Sequence, residues 1–355
     1  MNIHVDASCT VERPEIWAEM AAATADYTVS PAWLDTMGPL LPGESRWHVT
    51  DIDGAPQVGL HLRWLPSPPQ ELRYNLAAGL RGEMPSPDIR DSTRVIDVRE
   101  SSLYPSVLAV LPGFSCVPAG SGARDPDALR CALERLDAWA RDEGARSVSF
   151  LYVPQRQLPL RWALSEFGAI PVDLYPTCVL PVSFDDVEEY LGQLSRRRRA
   201  DWGRPRRRLA ENDMTVAEAD LGKVRDEVLE LRLNLLRKYG AEADSAAHSA
   251  AIDRMLRNYR TDDIVVIATR HGERLVGFTL GLRHGSTLRM LWCGRRPEAY
   301  GAYFVMCYYE TIRAALRRGV AQIDYGTQKW EVKSAYGCRM ESLTGHMWTV
   351  AANAR

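Results

Sequence analysis

Three local features of this sequence are capable of chemistry. The segment SRRRRADWGRPRRR, residues 195–208, carries eight arginines around Trp202. Guanidinium groups at that density bind phosphate oxygens in pairs, so Arg196, Arg199 and Trp202 are candidates to hold a pyrophosphate, an adenosine 3′-phosphate, an anionic acceptor or the acceptor stem of a tRNA. The same run also reads as a solvated, salt-bridged helix face. The second feature is lysine itself. Of 44 basic residues only Lys223, Lys238, Lys329 and Lys333 are lysine, which leaves 40 arginines. Against that background a retained lysine marks a position where a planar fork does not replace a compact ammonium. The third is the turn RRPEAYGA, residues 295–302, ahead of an apolar helix. Unpaired N–H groups opening a helix favour an anion, and Gly301 and Ala302 let a phosphate approach the backbone. It reads equally as a plain glycine-containing strand-to-helix turn.

These features sit in an otherwise balanced chain. With 46 acidic residues against 44 basic ones the formal charge is −2, so no whole-protein field draws the molecule to nucleic acid. A composition of 46% hydrophobic and 25% charged residues excludes disordered, collagenous and low-complexity classes. A length of 355 residues points to two domains, with one oversized sheet as the alternative. No run of 18 apolar residues occurs, so neither a secretion signal nor a membrane partner is expected. The seven cysteines are odd in number, scattered, and contain no C-x-x-C pair. They read as reduced thiols of a cytoplasmic protein with no metal site and no disulfide framework, most of them small core residues.

The elements that must position the candidates follow from periodicity. Residues 46–65 alternate around Asp53-Gly54 and predict a hairpin. A loop over 66–88, a buried strand over 107–117 and the turn PAGSGARD come next. The helix over 127–143 places Leu129, Leu133, Leu136 and Ala140 on one face, and Gly144 stops it. A strand over 147–153, a short helix over 158–167 and a strand over 177–182 complete the first half. Ser183 is expected to cap a helix through Leu194, and Gly203 and Pro205 to interrupt any single helix across the arginines. Helices over 224–239 and 250–259 precede three antiparallel strands, 263–270, 275–283 and 287–294. A helix over 302–318, a strand over 321–325, a short helix and a last strand follow. The order strand, glycine-bearing loop, helix, strand occurs in both halves, with DALRCALERLDAWARDEG before RSVSFLYV and YFVMCYYETIRAALRRG before AQIDYG. We read a tandem duplication with domains 1–180 and 181–355.

Three antiparallel strands, a loop, a helix, a further strand and a tail with a glycine after an aromatic-rich turn resemble the GNAT superfamily of N-acyltransferases. The resemblance implies an α/β (α+β) fold of tandem GNAT-like domains, each a twisted mixed sheet flanked by helices. The first would be degenerate and the second would carry the active site. LGQLSRRRRADWGRPRRRL, LLRKYG at 235–240 and IDYGTQKWEVKSAYGCRMESLTGHMW at 323–348 are similar to the FemAB and FemX peptidoglycan aminoacyltransferases within that superfamily. By this likeness Arg296, Ala299, Tyr300, Gly301 and Ala302 stand where the superfamily binds the donor pyrophosphate, with Ala299 in place of the first glycine. Trp292 and Cys293 lie on the strand whose backbone pairs with the pantetheine arm.

The superfamily also places a proton-donating tyrosine four residues before a glycine, and counting back from Gly337 reaches Lys333. A lysine there can bond the acyl carbonyl, stabilise the oxyanion, or donate a proton if burial lowers its pKa. It is otherwise a solvated surface lysine. Asp324 and Tyr325, where the acceptor cleft of the resembled fold opens, would accept and relay an amine proton, although Asp324 reads equally as a turn-forming acid. His346 is either a base near neutral pH or a half-buried strand histidine. Lys238, Tyr239 and Tyr336 would contact substrate. A covalent route through Cys293 lacks a histidine partner.

The resemblance implies an amide-forming acyl transfer with no permanently bound cofactor. A small-molecule amine would attack a thioester of CoA or of carrier-protein phosphopantetheine. Two other functions fit the same features: an aminoacyl-tRNA-dependent transferase like FemX, and a catalytically inactive GNAT-like binding module.

Overall fold

The computed structural model describes residues 5–81, 99–240 and 244–351; the side chains of Val5, Glu100, Ala200, Asp201, Trp202, Arg204 and Tyr300 are outside the described set. In chain order the strands are β1 (Val5–Thr10), β2 (Glu44–Ile52), β3 (Ala55–Leu65), β4 (Ser106–Ala109), β5 (Ser147–Pro154), β6 (Ile170–Pro181), β7 (Met214–Ala219), β8 (Ile264–His271), β9 (Arg274–His284), β10 (Thr287–Arg295), β11 (Gln322–Asp324) and β12 (Arg339–Thr349). The helices are α1 (Trp17–Thr24), α2 (Pro31–Met37), α3 (Leu76–Leu80), α4 (Pro126–Asp142), α5 (Leu158–Glu166), α6 (Val187–Gln193), α7 (Arg196–Glu211), α8 (Leu221–Lys238), α9 (Ser245–Asn258), α10 (Thr311–Arg317) and α11 (Trp330–Ala335). Among them none is long and apolar enough to cross a membrane. The chain divides into two compact units, Met1–Pro176 with Glu341–Arg355, and Thr177–Met340.

In the first unit the strands run in the order β1-β2-β3-β4-β5-β12, antiparallel except for the parallel pair β4 and β5. Asp53 and Gly54 both have positive φ, 54° and 80°, the geometry that a two-residue hairpin turn demands. Helix α4 starts where the Asp125 side chain accepts from the Asp127 amide and Pro126 fills the first turn. Its face of Leu129, Leu133, Leu136 and Ala140 packs on Val58, Leu60, Leu62, Val148 and Phe150.

Two expectations change in this unit. The apolar run over 107–117 is a strand only in β4, because Gly113 and Phe114 adopt φ of 85° and 62° and the Leu111 amide turns back to the Ser115 carbonyl at 2.8 Å. The loop expected over 66–88 contains the short helix α3, and its residues 82–88 lie outside the described set. The terminal strand β12 pairs with β5, so the tail returns to the first unit instead of staying within 181–355. Leu343 and Met347 enter the cluster of Leu151 and Tyr152, and Trp348 stacks on Phe150 at 5.8 Å.

In the second unit the end of β6 pairs antiparallel with β11, β11 pairs parallel with β10, and β10, β9, β8 and β7 follow as an antiparallel meander. The expected helix over 302–318 is more complex. It opens as a 3-10 turn, Pro297–Ala302, and passes through a π-helical stretch, Val305–Glu310, before α10. Helix α6 is capped by Asp186, whose carboxylate accepts from the Glu189 amide at 2.7 Å, and not by Ser183.

The arginines form one helix. Gly203 and Pro205 do not break α7. Ser195 caps it, and the Arg199 guanidinium donates to the carbonyls of Gly192 at 3.0 Å and Leu194 at 2.9 Å. These bonds tie the first turn to the end of α6, and Leu209 anchors the last turn in the core. Together they hold the segment helical despite the single donor that Pro205 removes.

Candidate functional site

Strands β10 and β11 pair over only three residues each, Thr287–Arg289 against Gln322–Asp324. Beyond Arg289 and Asp324 they part. β10 continues to Arg295 held by β9 alone, with a bulge between Met290 and Trp292, the device by which strands re-aim side chains next to sites. Asp324, Tyr325 and Lys333 lie at this opening.

Asp324 sits at the parting point and is fully engaged. Its carboxylate pairs with the guanidinium of Arg289, which is 3% exposed, and accepts from the Thr177 hydroxyl at 3.1 Å and the Gly326 amide at 2.8 Å. That arrangement fixes the strand end and gives Asp324 a structural role at the parting point. Gly326 is required there: its φ is 69°, and a Cβ would lie 3.1 Å from an Arg289 nitrogen.

Lys333 is not a solvated surface lysine. The chain after β11 turns through Gly326, Gln328 and Lys329, all at positive φ, and three successive carbonyls converge on the Lys333 ammonium. It donates to Tyr325 at 2.8 Å, to Gly326 at 3.1 Å and to Thr327. Burial lowers its pKa; the neighbouring Cys178 opposes that shift, Arg289 adds to it and Asp324 opposes it. An ammonium has three N–H donors, and here all three hold the loop. The role expected of Lys333 therefore changes from a group facing the reacting carbonyl to one that positions the turn after β11.

Tyr325 is the residue at the opening whose polar atom is uncommitted. Its hydroxyl is buried and makes no hydrogen bond among the described residues. Burial pushes its pKa well above the usual phenol value, reinforced by Cys338, Tyr308, Tyr190 and Cys307, so the phenol stays protonated. Its ring lies 5.0 Å from that of Tyr308, which stacks on Tyr336 at 4.8 Å, and the Tyr190 hydroxyl donates to the Tyr336 carbonyl at 2.7 Å. Cys293 is raised in pKa by burial against the opposing charges of Arg232, Lys333 and Arg295, which disfavours a nucleophilic thiolate. Trp292 is buried, with the Arg232 guanidinium 5.5 Å over its ring and His248 at 5.4 Å. Tyr239, 75% exposed at the end of α8 beside the exposed Lys238, adds to the raised pKa of Tyr303, to which Cys307 contributes most and Cys293 also contributes.

The turn expected to seat a pyrophosphate is differently built. Ala299 and Ala302 are buried in the core, and the Arg296 guanidinium pairs with Glu230 at 2.7 Å. The small side chains thus serve packing, with Ala299 3.7 Å from where a Cβ on Gly277 would lie. Gly301 is partly exposed, and the side chain of Tyr300 is outside the described set. Arg196 is exposed on α7, Arg199 donates to the carbonyls that end α6, and the side chain of Trp202 is likewise outside the described set.

His346 belongs to the first unit. It lies on β12, 4% exposed, with its ring 3.0 Å from the Thr344 hydroxyl. Burial, aided by Arg161, lowers its pKa to about 4. It is a neutral core histidine and not a base working near pH 7.

Sequence reasoning missed Arg289, Tyr303, Tyr308 and Tyr190. The available signals were an arginine inside the apolar strand TLRMLWCG and the dense aromatic run YFVMCYY.

No curated protein matches the sequence. Among solved structures the chain is similar to FemX, with 13% identity and a TM-score of 0.59 over 92% of this chain and 94% of that one. It also resembles a conserved protein of unknown function from Bacteroides thetaiotaomicron, at 11% identity and a TM-score of 0.56 over 96% and 99% of the two chains. A third likeness is to the C-terminal domain of a putative lysylphosphatidylglycerol synthetase from Agrobacterium fabrum, at 12% identity and a TM-score of 0.50 over 68% and 77%. At these identities the likeness is one of fold, and it is the tandem GNAT-like fold. The family model of FemAB-like proteins, described as peptidoglycan biosynthesis/recognition, matches residues 102–352. The chain with this parted sheet accordingly belongs to the FemAB-like family, whose fold and membership support an acyltransferase type of activity.

Proposed function

We propose that the opening between β10 and β11 is where an acceptor amine attacks a thioester carbonyl to form an amide. The observation that carries this reading is the buried, uncommitted Tyr325 hydroxyl beside the parted strands. The amine nitrogen bonds to the carbonyl carbon, the oxygen takes the charge, and the carbon–sulfur bond then breaks. A protonated phenol next to the end of β11 can donate to the developing oxyanion or to the departing sulfur, and the attacking nitrogen loses its proton to solvent. Lys333 and the Arg289–Asp324 pair hold the turn that presents Tyr325. Positioning carries most of the remaining rate. The donor is an acyl thioester of CoA or of carrier-protein phosphopantetheine, and the acceptor a small-molecule amine.

Membership of the FemAB-like family favours a second reading, in which the donor is an aminoacyl-tRNA and an ester bond breaks in place of the thioester. Incubating the purified protein with acyl-CoA, acyl-carrier protein or aminoacyl-tRNA and a panel of amines, with mass detection of the amide, tests both. Thiol release with an acyl thioester supports the first, and ribonuclease-sensitive product supports the second. Failure with every donor class leaves a GNAT-like binding module.

A further inference from the structure

Helix α7 presents two unlike faces. On one, the Arg198 guanidinium lies 5.6 Å from the Tyr336 ring centroid and Leu209 is buried in the core. Arg206 donates to the Tyr309 hydroxyl at 3.0 Å, and Arg313 donates to the same oxygen at 2.8 Å. The opposite arc, Arg196, Arg197, Arg207 and Arg208, recurs at helical spacing and is exposed. Among the described residues none of these four forms an ion pair. The helix holds eight arginines against Asp201 and Glu211, a formal +6, so the rest of the chain carries −8 within the total of −2.

This helix also packs on the turn Pro297–Ala302: a Cβ on Gly301 would lie 3.9 Å from the Arg208 Cβ. That turn begins two residues after the end of β10 at Arg295.

We propose that the arginine arc of α7 docks an acidic acyl-carrier domain, whose phosphopantetheine arm passes Gly301 into the opening between β10 and β11. This rests on reading that opening as the thioester site. A CoA nucleotide needs a seat for its diphosphate, and here Ala299 and Ala302 are buried and Arg296 is paired with Glu230. A carrier-bound arm has a single phosphodiester, which Arg208 can meet. A 16-residue helix is about 24 Å long, the length over which an acidic helix of a small domain lies alongside it. The chain outside this helix is net negative at −8, which disfavours a long polyanion such as an RNA stem relative to a short acidic helix. Complementary charge of this kind sets encounter rate and partner choice.

The test uses the full chain and a holo acyl carrier protein of fatty-acid synthesis as probe, with binding followed by fluorescence anisotropy at low and high salt. Micromolar binding that weakens with salt is expected. Binding should fall at least tenfold in R197E/R207E/R208E and partly in the neutral R197Q/R207Q, both with unchanged circular dichroism. Tyr325→Phe should bind the carrier as the wild type does while acyl transfer falls, so failure of docking and failure of the acyl-transfer reading are separately visible. Absence of carrier binding at low salt, or unchanged binding by both arginine variants, would overturn the proposal. So would total tRNA binding more tightly than the carrier and losing that affinity in the same variants, since the arc would then be an RNA surface.

Discussion

Arg289 and Asp324 face each other across the last rung of parallel pairing between β10 and β11, and their buried ion pair closes the sheet where it divides. The arginine is 3% exposed and the carboxylate 16%, so the guanidinium in particular has no water to fall back on. Removing one partner of such a pair costs about 3–5 kcal/mol, because the other is left buried and unpaired. Arg289→Ala and Asp324→Asn should therefore each lower the urea midpoint strongly. Arg289→Met combined with Asp324→Leu should lower it by less than the sum of the single changes. Additive losses would mean the two side chains do not act as one unit.

The Lys333 ammonium is a tripod over the carbonyls of Tyr325, Gly326 and Thr327. Lys333→Met strands three acceptors and releases a turn that already contains Gln328 and Lys329 at positive φ. Faster amide exchange across residues 325–329 is expected, with a loss of acyl transfer. Lys333→Arg should not restore either, since a planar fork cannot converge on three carbonyls arranged around a point. Restoration by arginine would show that only the charge matters.

Tyr325→Phe separates stability from activity. The hydroxyl is buried without a partner among the described residues, so its removal deletes an unsatisfied polar group and should leave the protein equally or slightly more stable. Acyl transfer should fall by about 10²–10³-fold, the range for losing one oxyanion donor. Unaltered turnover would remove Tyr325 from the chemistry.

How far the sequence could be read depends on the kind of interaction. The Asp53-Gly54 hairpin, the amphipathic face of α4 and the β8-β9-β10 meander were legible because period and turn chemistry are local. The continuity of α7 was not, because Pro205 is tolerated through the Arg199 tether to the end of α6 and the anchoring of Leu209, which only the fold supplies. Lys333 and Tyr325 could be singled out by type and place. Their roles could not, since nothing in the sequence shows that three carbonyls meet the ammonium while the phenol stays free. Likewise β12 read as a strand, but its partner β5 lies almost 200 positions away and no local pattern names it.

Three histidines make the first unit acid-sensitive. His48, His61 and His346 are each held at a pKa of about 4, against an ordinary value of 6.5, and in each case burial is the leading cause. The Val110 carbonyl opposes this at His61, where Arg63 adds to it, and Arg161 adds to it at His346. Because folding depresses the pKa, the folded state keeps these rings neutral while the unfolded state takes up protons below pH 6.5. Their contribution to stability is complete above pH 6.5 and is lost progressively as pH falls toward 4, by up to about 3 kcal/mol per ring. Melting temperatures between pH 7.5 and 4.5 should drop accordingly. His346→Gln keeps a side-chain amide near Thr344 but cannot titrate, so its melting curve should depend less steeply on pH across that window; an unchanged slope would show that His346 does not contribute.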